Sequence, residues 1–265
     1  MSILLFDIGG TKMRLALCDG TSLSLVQTYA TPKDPEEAIK MVLSYISISE
    51  KEGEIERIVG GVAGTISDGI VQHSPNLPEW NGVSFGTLLA QASGVSVSMY
   101  NDADLAGLGE AVYGAGKEAV LVGYLGIGTG VGGTLIHNKR IVPFVHGLEP
   151  GKQIIDHHTG KTLEDAVSGA GIQKETGELS ESLPRSFYEE RTVLLATGIY
   201  NTVRHWSPDV LVLGGSLMNE ETAFRLLDVQ TELARIADGV EMPTLAKGIL
   251  EDQSGLYGAL AIATQ

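Results

Sequence analysis

Short apolar runs bounded by glycine and polar turns alternate along this chain with segments whose apolar residues recur at helical spacing. That alternation is the pattern of an α/β protein. The strand-like runs are Ile3-Leu4-Leu5-Phe6, Leu15-Ala16-Leu17, Ile58-Val59-Gly60-Gly61-Val62, Val95-Ser96-Val97-Ser98-Met99, Ala119-Val120-Leu121-Val122-Gly123 and Val210-Leu211-Val212-Leu213. The clearest helix start is Asp34-Pro35-Glu36-Glu37, where Asp34 is placed to N-cap, Pro35 suits the first turn and Glu37 completes a capping box. Ala38, Ile39, Val42, Leu43 and Ile46 then line one face of that helix. The spacing predicts further helices over residues 82–92, 103–113, 190–205, 221–236 and 255–264.

An internal echo organises these elements. Leu5-Phe6-Asp7-Ile8-Gly9-Gly10-Thr11 matches Tyr124-Leu125-Gly126-Ile127-Gly128-Thr129-Gly130, and a β-rich stretch follows each copy. Two strand–glycine turn–strand units half a chain apart point to a duplicated domain. The expected boundary lies near residue 110, at Tyr113-Gly114-Ala115-Gly116. Domains are therefore expected over 1–110 and 111–254, with the C-terminal helix, 255–265, packing back on the first.

Composition narrows the function classes. With 265 residues, 43% of them hydrophobic, the chain has enough apolar material for a sizeable core. No stretch approaches the roughly 18 consecutive apolar residues of a membrane span, and no basic leader precedes the first apolar run, so a cytoplasmic location is expected. The net charge of −15 argues against nucleic acid or an anionic membrane as partner. Cys18 is the single cysteine, which excludes an intrachain disulfide and a Cys-rich zinc site, and it reads as a small core residue.

The glycine turns carry the candidate chemistry. In Asp7-Ile8-Gly9-Gly10-Thr11-Lys12 the glycines let backbone N–H groups approach an anion, and Thr11 adds a hydroxyl donor. An Asp at a strand end is suited to Mg²⁺, usually through its waters. A plain hairpin turn accounts equally well for the segment taken alone. Asn101-Asp102 closes the strand at Met99 and opens a helix, where an acid can serve simply as a cap. A carboxylate at a helix N-terminus is favoured as the anion, so Asp102 is expected to be ionised at neutral pH. Asn76 sits in the loop Pro75-Asn76-Leu77-Pro78-Glu79-Trp80, which Trp80 is expected to pack.

Taken in order, these motifs resemble the ROK family (repressors, open reading frames and sugar kinases) of the actin-like ATPase superfamily. The resemblance runs through Asp7 to Lys12, Pro75 to Trp80, Asn101-Asp102-Ala103, Gly126 to Gly130, Glu149-Pro150-Gly151, Leu163-Glu164 before Val167-Ser168-Gly169, and Leu213-Gly214-Gly215. It implies two actin-like, ribonuclease H-like domains with an interdomain cleft that closes on sugar. It also implies an ATP- and Mg²⁺-dependent kinase acting on a hexose or N-acetylhexosamine at its 6-hydroxyl. Asp102 would be the general base, and Asn76, Asn101, Glu149 and Glu164 would hold sugar hydroxyls together with it. Asp7 would act through Mg²⁺, and Gly9, Gly10, Thr11, Lys12, Gly128, Thr129 and Gly130 would hold the triphosphate. Gly214 and Gly215 would admit the adenosine. Within that set Lys12 is expected to act as a support of the turn. A homodimer is the family's commonest form.

One departure stands out. The family usually carries a His after Glu-x-Gly and a cysteine loop that together bind structural zinc, whereas here the His position is Lys152 and residues 153–162 contain no Cys. His157 and His158 remain, but adjacent side chains are expected to point apart, and a tetrahedral site needs further ligands. No zinc is expected, and Lys152 is expected to reach a carboxylate such as Glu149. The rival reading is a non-catalytic sugar-binding regulator of the ROK type. Its family members carry a DNA-binding domain before the Asp-x-Gly-Gly-Thr motif, and here that motif begins at residue 7.

Overall fold

Each glycine turn joins the first two strands of a five-stranded sheet, and the two sheets share one strand order. In the computed structural model, which describes residues 2–49, 53–144, 147–219 and 221–265, β1 (Ser2–Ile8) lies between β2 (Lys12–Cys18), antiparallel, and β4 (Ile55–Val62), parallel. β3 (Leu23–Ala30) and β7 (Ser96–Asn101) extend this sheet to the order β3-β2-β1-β4-β7. A small hairpin of β5 (Thr65–Ser67) and β6 (Ile70–His73) stands apart from it. In the second sheet β8 (Leu121–Ile127) lies between β9 (Val131–His137), antiparallel, and β13 (Val210–Gly214), parallel. With β10 (Arg140–Ile141) and β14 (Thr244–Lys247) its order is β10-β9-β8-β13-β14, so strand directions repeat position by position. This is the α/β architecture of a duplicated actin-like domain.

The chain divides into two compact units, Met1–Val112 with Gln253–Gln265, and Tyr113–Asp252. In the first, Leu4, Phe6 and Ile8 of β1 pack with Ala38, Val42 and Tyr45 of α1 (Pro35–Ile48), while Cys18 is buried in the core. Asp34 caps α1 by accepting from the Glu36 N–H at 2.9 Å, so its cap reaches the second residue of the helix and not Glu37. In the second unit, Leu125, Ile127, Leu211 and Leu213 pack with Leu195 and Ile199 of α6 (Arg185–Trp206) and with Val229 and Leu233 of α7 (Leu226–Ala237). Among the described residues no helix is long and apolar enough to cross a membrane.

Helix boundaries moved where side chains outvoted periodicity. α2 (Phe85–Ser93) starts three residues later than its pattern because Gly82 takes a left-handed φ of 78° and Val83 bridges to Val71. α6 starts five residues earlier, after Pro184, where Arg185 reaches Glu189 and Asp228, both at 2.8 Å. Residues 221–225 form a turn before α7, in which Asn219 Oδ1 accepts the Glu221 N–H and Leu217 O accepts that of Phe224.

The helix α3 (Asp102–Val112) and the last helix, α8 (Ser254–Ala263), touch backbone to backbone. A Cβ on Gly258 would lie 1.9 Å from the Leu105 carbonyl oxygen, and one on Gly109 would lie 2.2 Å from that of Ser254. Gly258→Ala is therefore expected to lower stability by about 1–3 kcal/mol, the usual cost of overpacking. Urea denaturation measures it, and an unchanged midpoint would mean the helices part without cost.

Candidate active site

Asp7 is the penultimate residue of β1, just before the turn that Gly9 closes by donating its N–H to the Lys12 carbonyl at 2.9 Å. Thr31 anchors the turn from the side, its hydroxyl donating to Gly9 O at 2.7 Å and its N–H to Thr11 O at 3.0 Å. Thr11 and Lys12 are exposed. Gly10 abuts Asn76, with a Cβ there coming 2.6 Å from that of Asn76. The phosphate-type turn and the Pro-bracketed loop are thus neighbours. Trp80 packs that loop from below, fully buried, with its indole N–H directed to Pro32 O at 3.3 Å.

The carboxyl of Asp7 has two neighbours that its sequence position did not announce. Arg14 lies 3.6 Å away, both side chains being almost buried. The pairing follows from hairpin register, since Asp7 and Arg14 are directly opposite on β1 and β2, and a count outward from the turn would have found it. Gly255, in the first turn of α8, presses against the same carboxyl, where a Cβ would lie 2.6 Å from Asp7 Cγ. A helix N-terminus favours negative charge at that point.

β7 delivers Asn101 and α3 begins on Asp102. The capping role falls to Asn101, whose Oδ1 accepts the Asp104 N–H at 3.0 Å while its amide donates to Gly64 O at 2.8 Å. Asp102 is left with one local bond, from the Ala103 N–H at 2.9 Å. Burial first, and then the negative charge of Asp7, push its carboxyl up to about 7 against the helix N-terminal N–H groups that pull it down. The expectation of full ionisation at neutral pH is corrected: desolvation and a like charge outweigh the helix terminus.

In the second unit the turn Gly128-Thr129-Gly130 is closed by the Gly128 N–H to Gly130 O, 2.9 Å, with Thr129 exposed. It rests on the start of α5 (Gly169–Thr176), whose Gly169 and Ala170 N–H groups donate to Gly128 O and Thr129 O at 2.8 and 2.9 Å. Ser168, fully buried, caps that helix through the Gly171 N–H at 3.0 Å. Gly215, with φ of 90°, lets the segment after β13 pass over Ile127, whose carbonyl oxygen would be 2.3 Å from any Cβ there. Gly214 lies as tightly on the Tyr124 hydroxyl. These glycines bring the end of β13 beside the turn, with Ser216 next to Gly128.

Glu164 opens α4 (Leu163–Val167) and its Oε2 accepts the Val131 N–H at 2.9 Å. Its Oε1 pairs with Lys152. The partner of Lys152 is thus Glu164 and not Glu149, because the short 3₁₀ turn Pro150–Lys152 carries the lysine across to α4. Glu149 is exposed, and its carbonyl accepts the Lys152 N–H at 3.0 Å.

The segment that replaces the cysteine loop is a hairpin of β11 (Ile154–Asp156) and β12 (Lys161–Thr162). Asp156 ties its turn by accepting from the His158 N–H at 3.0 Å and the Thr159 hydroxyl at 2.7 Å. Gln153 anchors its base, donating to Pro150 O at 2.8 Å, Gly198 O and Thr202 Oγ1 at 3.2 Å, and accepting from Asn201 at 3.1 Å. His157 and His158 do not point apart: their rings stack with centroids 3.8 Å apart, since they occupy a turn and not a strand. Among the described residues no three His, Cys, Asp or Glu side chains are grouped to hold a metal.

The ROK family profile matches residues 4–265. The chain belongs to the ROK family. It is 30% identical to a polyphosphate glucokinase of Mycobacterium tuberculosis, over 80% of this chain and 76% of that one. It is 28% identical to a fructokinase of Zymomonas mobilis, over 96% and 94%. Among solved structures, an inorganic polyphosphate/ATP-glucomannokinase from Arthrobacter superposes with a TM-score of 0.74 at 26% identity, covering 99% and 98%. A ROK glucokinase from Streptomyces griseus, solved with glucose and AMPPNP, shares the fold with a TM-score of 0.82 at 20% identity, covering 99% of each chain.

Gln153 and Asp156 tie this hairpin with hydrogen bonds, where a zinc loop is tied by coordinate bonds to its metal. Purified protein is accordingly expected to contain no stoichiometric zinc by elemental analysis, and chelator is expected to leave its melting temperature unchanged. One zinc per chain, with destabilisation on removal, would overturn this.

Proposed function

We propose that this protein transfers the γ-phosphoryl group of ATP to the 6-hydroxyl of a hexose or N-acetylhexosamine. Its class, an ATP-dependent sugar kinase, follows from membership of the family and from its kinase relatives. One observation supports a base in this role: Asp102 stands at the head of α3 beside Asn101 and in the field of Asp7, which with burial raises its carboxyl to about 7. A general base works best with a pKa near the operating pH.

The roles divide between the units. In the first, Asp102 takes the proton of the attacking hydroxyl, and Asn76, beside Gly10, and Asn101 orient the sugar. Gly9 closes the turn on Lys12, and above it Gly10 and Thr11 offer phosphate oxygens their N–H groups and a hydroxyl. Hard carboxylate oxygens of Asp7, close enough to Asp102 to raise it, suit Mg²⁺ held through water. The ion would supply positive charge to the transferring phosphoryl group. Arg14 fixes the Asp7 carboxyl. In the second unit the turn of Gly128, Thr129 and Gly130 contributes phosphate contacts of its own, Gly214 and Gly215 admit the nucleoside, and Glu149 and Glu164 accept sugar hydroxyls on the anomeric side. Phosphoryl transfer asks chiefly for such positioning and charge stabilisation.

ADP release against a panel of hexoses and N-acetylhexosamines, with ATP and inorganic polyphosphate as alternative donors, tests this reading. Position-resolved NMR of the product tests the 6-hydroxyl. Sugar binding without turnover by either donor would favour the regulator reading. Asp102→Asn is expected to lower kcat by about 10²–10⁴, the range of general base catalysis, while the fold persists. Retention of more than a tenth of the activity would remove Asp102 from the base role.

The pH dependence has a definite sign. The working form of Asp102 is deprotonated, so kcat/KM of the wild type is expected to fall as pH drops below about 7. Its carboxyl is raised in the folded state, so its contribution to stability is present in acid and lost as pH rises through about 7. Asp102→Asn is expected to lack that loss, which thermal melts across pH 4–9 measure.

A further inference from the structure

Lys152 is presented by a turn that is locked on both sides. Before it, Gly151 is buried against β9, where a Cβ would come 2.4 Å from the Val131 carbonyl oxygen. After it, the Gln153 side chain is gripped by Pro150 O, Gly198 O, Thr202 Oγ1 and the Asn201 amide. The backbone at Lys152 is therefore fixed, and its ammonium meets Glu164 Oε1.

Glu164 is held at its other oxygen as well, by the Val131 N–H at 2.9 Å. Val131 directly follows the Gly128-Thr129-Gly130 turn. A carboxylate has about four acceptor sites, so two bonds leave room for sugar hydroxyls while fixing the plane of the group. Glu149 and Asp165 also face the ammonium and, after Glu164, raise the pKa of Lys152. Asp165 is engaged elsewhere, accepting the Thr162 hydroxyl at 2.7 Å. Glu149 and Glu164 are the two carboxylates assigned above to the anomeric side of the sugar; the ammonium pairs with Glu164 and feels the charge of Glu149 through space.

We infer that Lys152 is a positioning residue for the sugar: it holds Glu164 in one orientation against Val131 and balances the charge of Glu164 and Glu149 where they accept hydroxyls. The inference rests on the sugar-kinase reading and deepens it. Lys152 touches no reacting atom, so its loss weakens sugar binding and leaves the transfer step intact. The positive charge, and not the amine as such, performs the task.

The test is Lys152→Met and Lys152→Arg in the full chain, using the sugar that the wild type turns over best. Lys152→Met is expected to raise the sugar KM about tenfold or more, with kcat and the MgATP KM within about threefold of wild type. Lys152→Arg is expected to recover most of that loss. Lys161→Met, which removes the neighbouring ion pair to Glu175 at 2.8 Å, serves as the control and is expected to leave KM unchanged. An unchanged sugar KM in Lys152→Met, no recovery in Lys152→Arg, or an equal fall in kcat would overturn the inference. If Lys152→Met fails to fold, Glu164→Gln supplies the second background. There Lys152→Gln is expected to add little to the rise in KM, and additive losses would overturn the coupling. Wild-type turnover judges the kinase reading by itself. Calorimetric titration of the sugar without nucleotide judges Lys152 separately, with an about tenfold weaker Kd expected in Lys152→Met and an equal Kd overturning it.

Discussion

Backbone contact between α3 and α8 is the constraint on which the first unit depends. Gly109 and Gly258 remove the side chains that would hold the two helices apart, and α8 then settles with its N-terminus on the carboxyl of Asp7. The same helix α3 begins on Asp102. One close crossing thus sets the environment of both acids, although more than 90 residues separate them in sequence. Close approach at this level is unforgiving, because a packed interior has no slack to take up an added methyl group.

The electrostatics follow from that geometry. Asp7 meets Arg14 across the hairpin and the start of α8, two neighbours that favour negative charge there. Asp102, half-buried nearby, bears the cost of that charge. Two acids of one type thus have different surroundings: one sits against a cation and a helix start, while the other has its carboxyl raised to about 7.

Much of this was legible in the chain. The echo of Leu5 to Thr11 in Tyr124 to Gly130 anticipates two sheets of like topology, since each glycine turn must join an antiparallel pair. Long strands with apolar runs were readable, whereas β14 is only four residues long, and α5 opens on Gly-Ala-Gly and depends on the Ser168 cap. The acids of the site were readable as motif members, but their states were not. The Arg14 ion pair lay within reach of a count from the hairpin turn, but the raised carboxyl of Asp102 depends on Asp7, far off in sequence, and the close rings of His157 and His158 show how a turn reverses an expectation drawn from a strand. The switch of Lys152 from Glu149 to Glu164 likewise needs the 3₁₀ turn, which three residues of sequence do not specify.

The division of the chain bears on the order of folding. The second unit is continuous, Tyr113–Asp252, and all its strands are available once that stretch has been synthesised. The first is split, and Gln253–Gln265 reaches it only after the whole of the second has emerged. During synthesis the inner faces of α3 and β1 therefore wait uncovered while a complete neighbouring domain forms, a period in which exposed apolar surface invites chaperones. The arrival of α8 closes that interval and, in the same step, sets Gly255 against Asp7, so the first unit gains its finished core and its finished acid together.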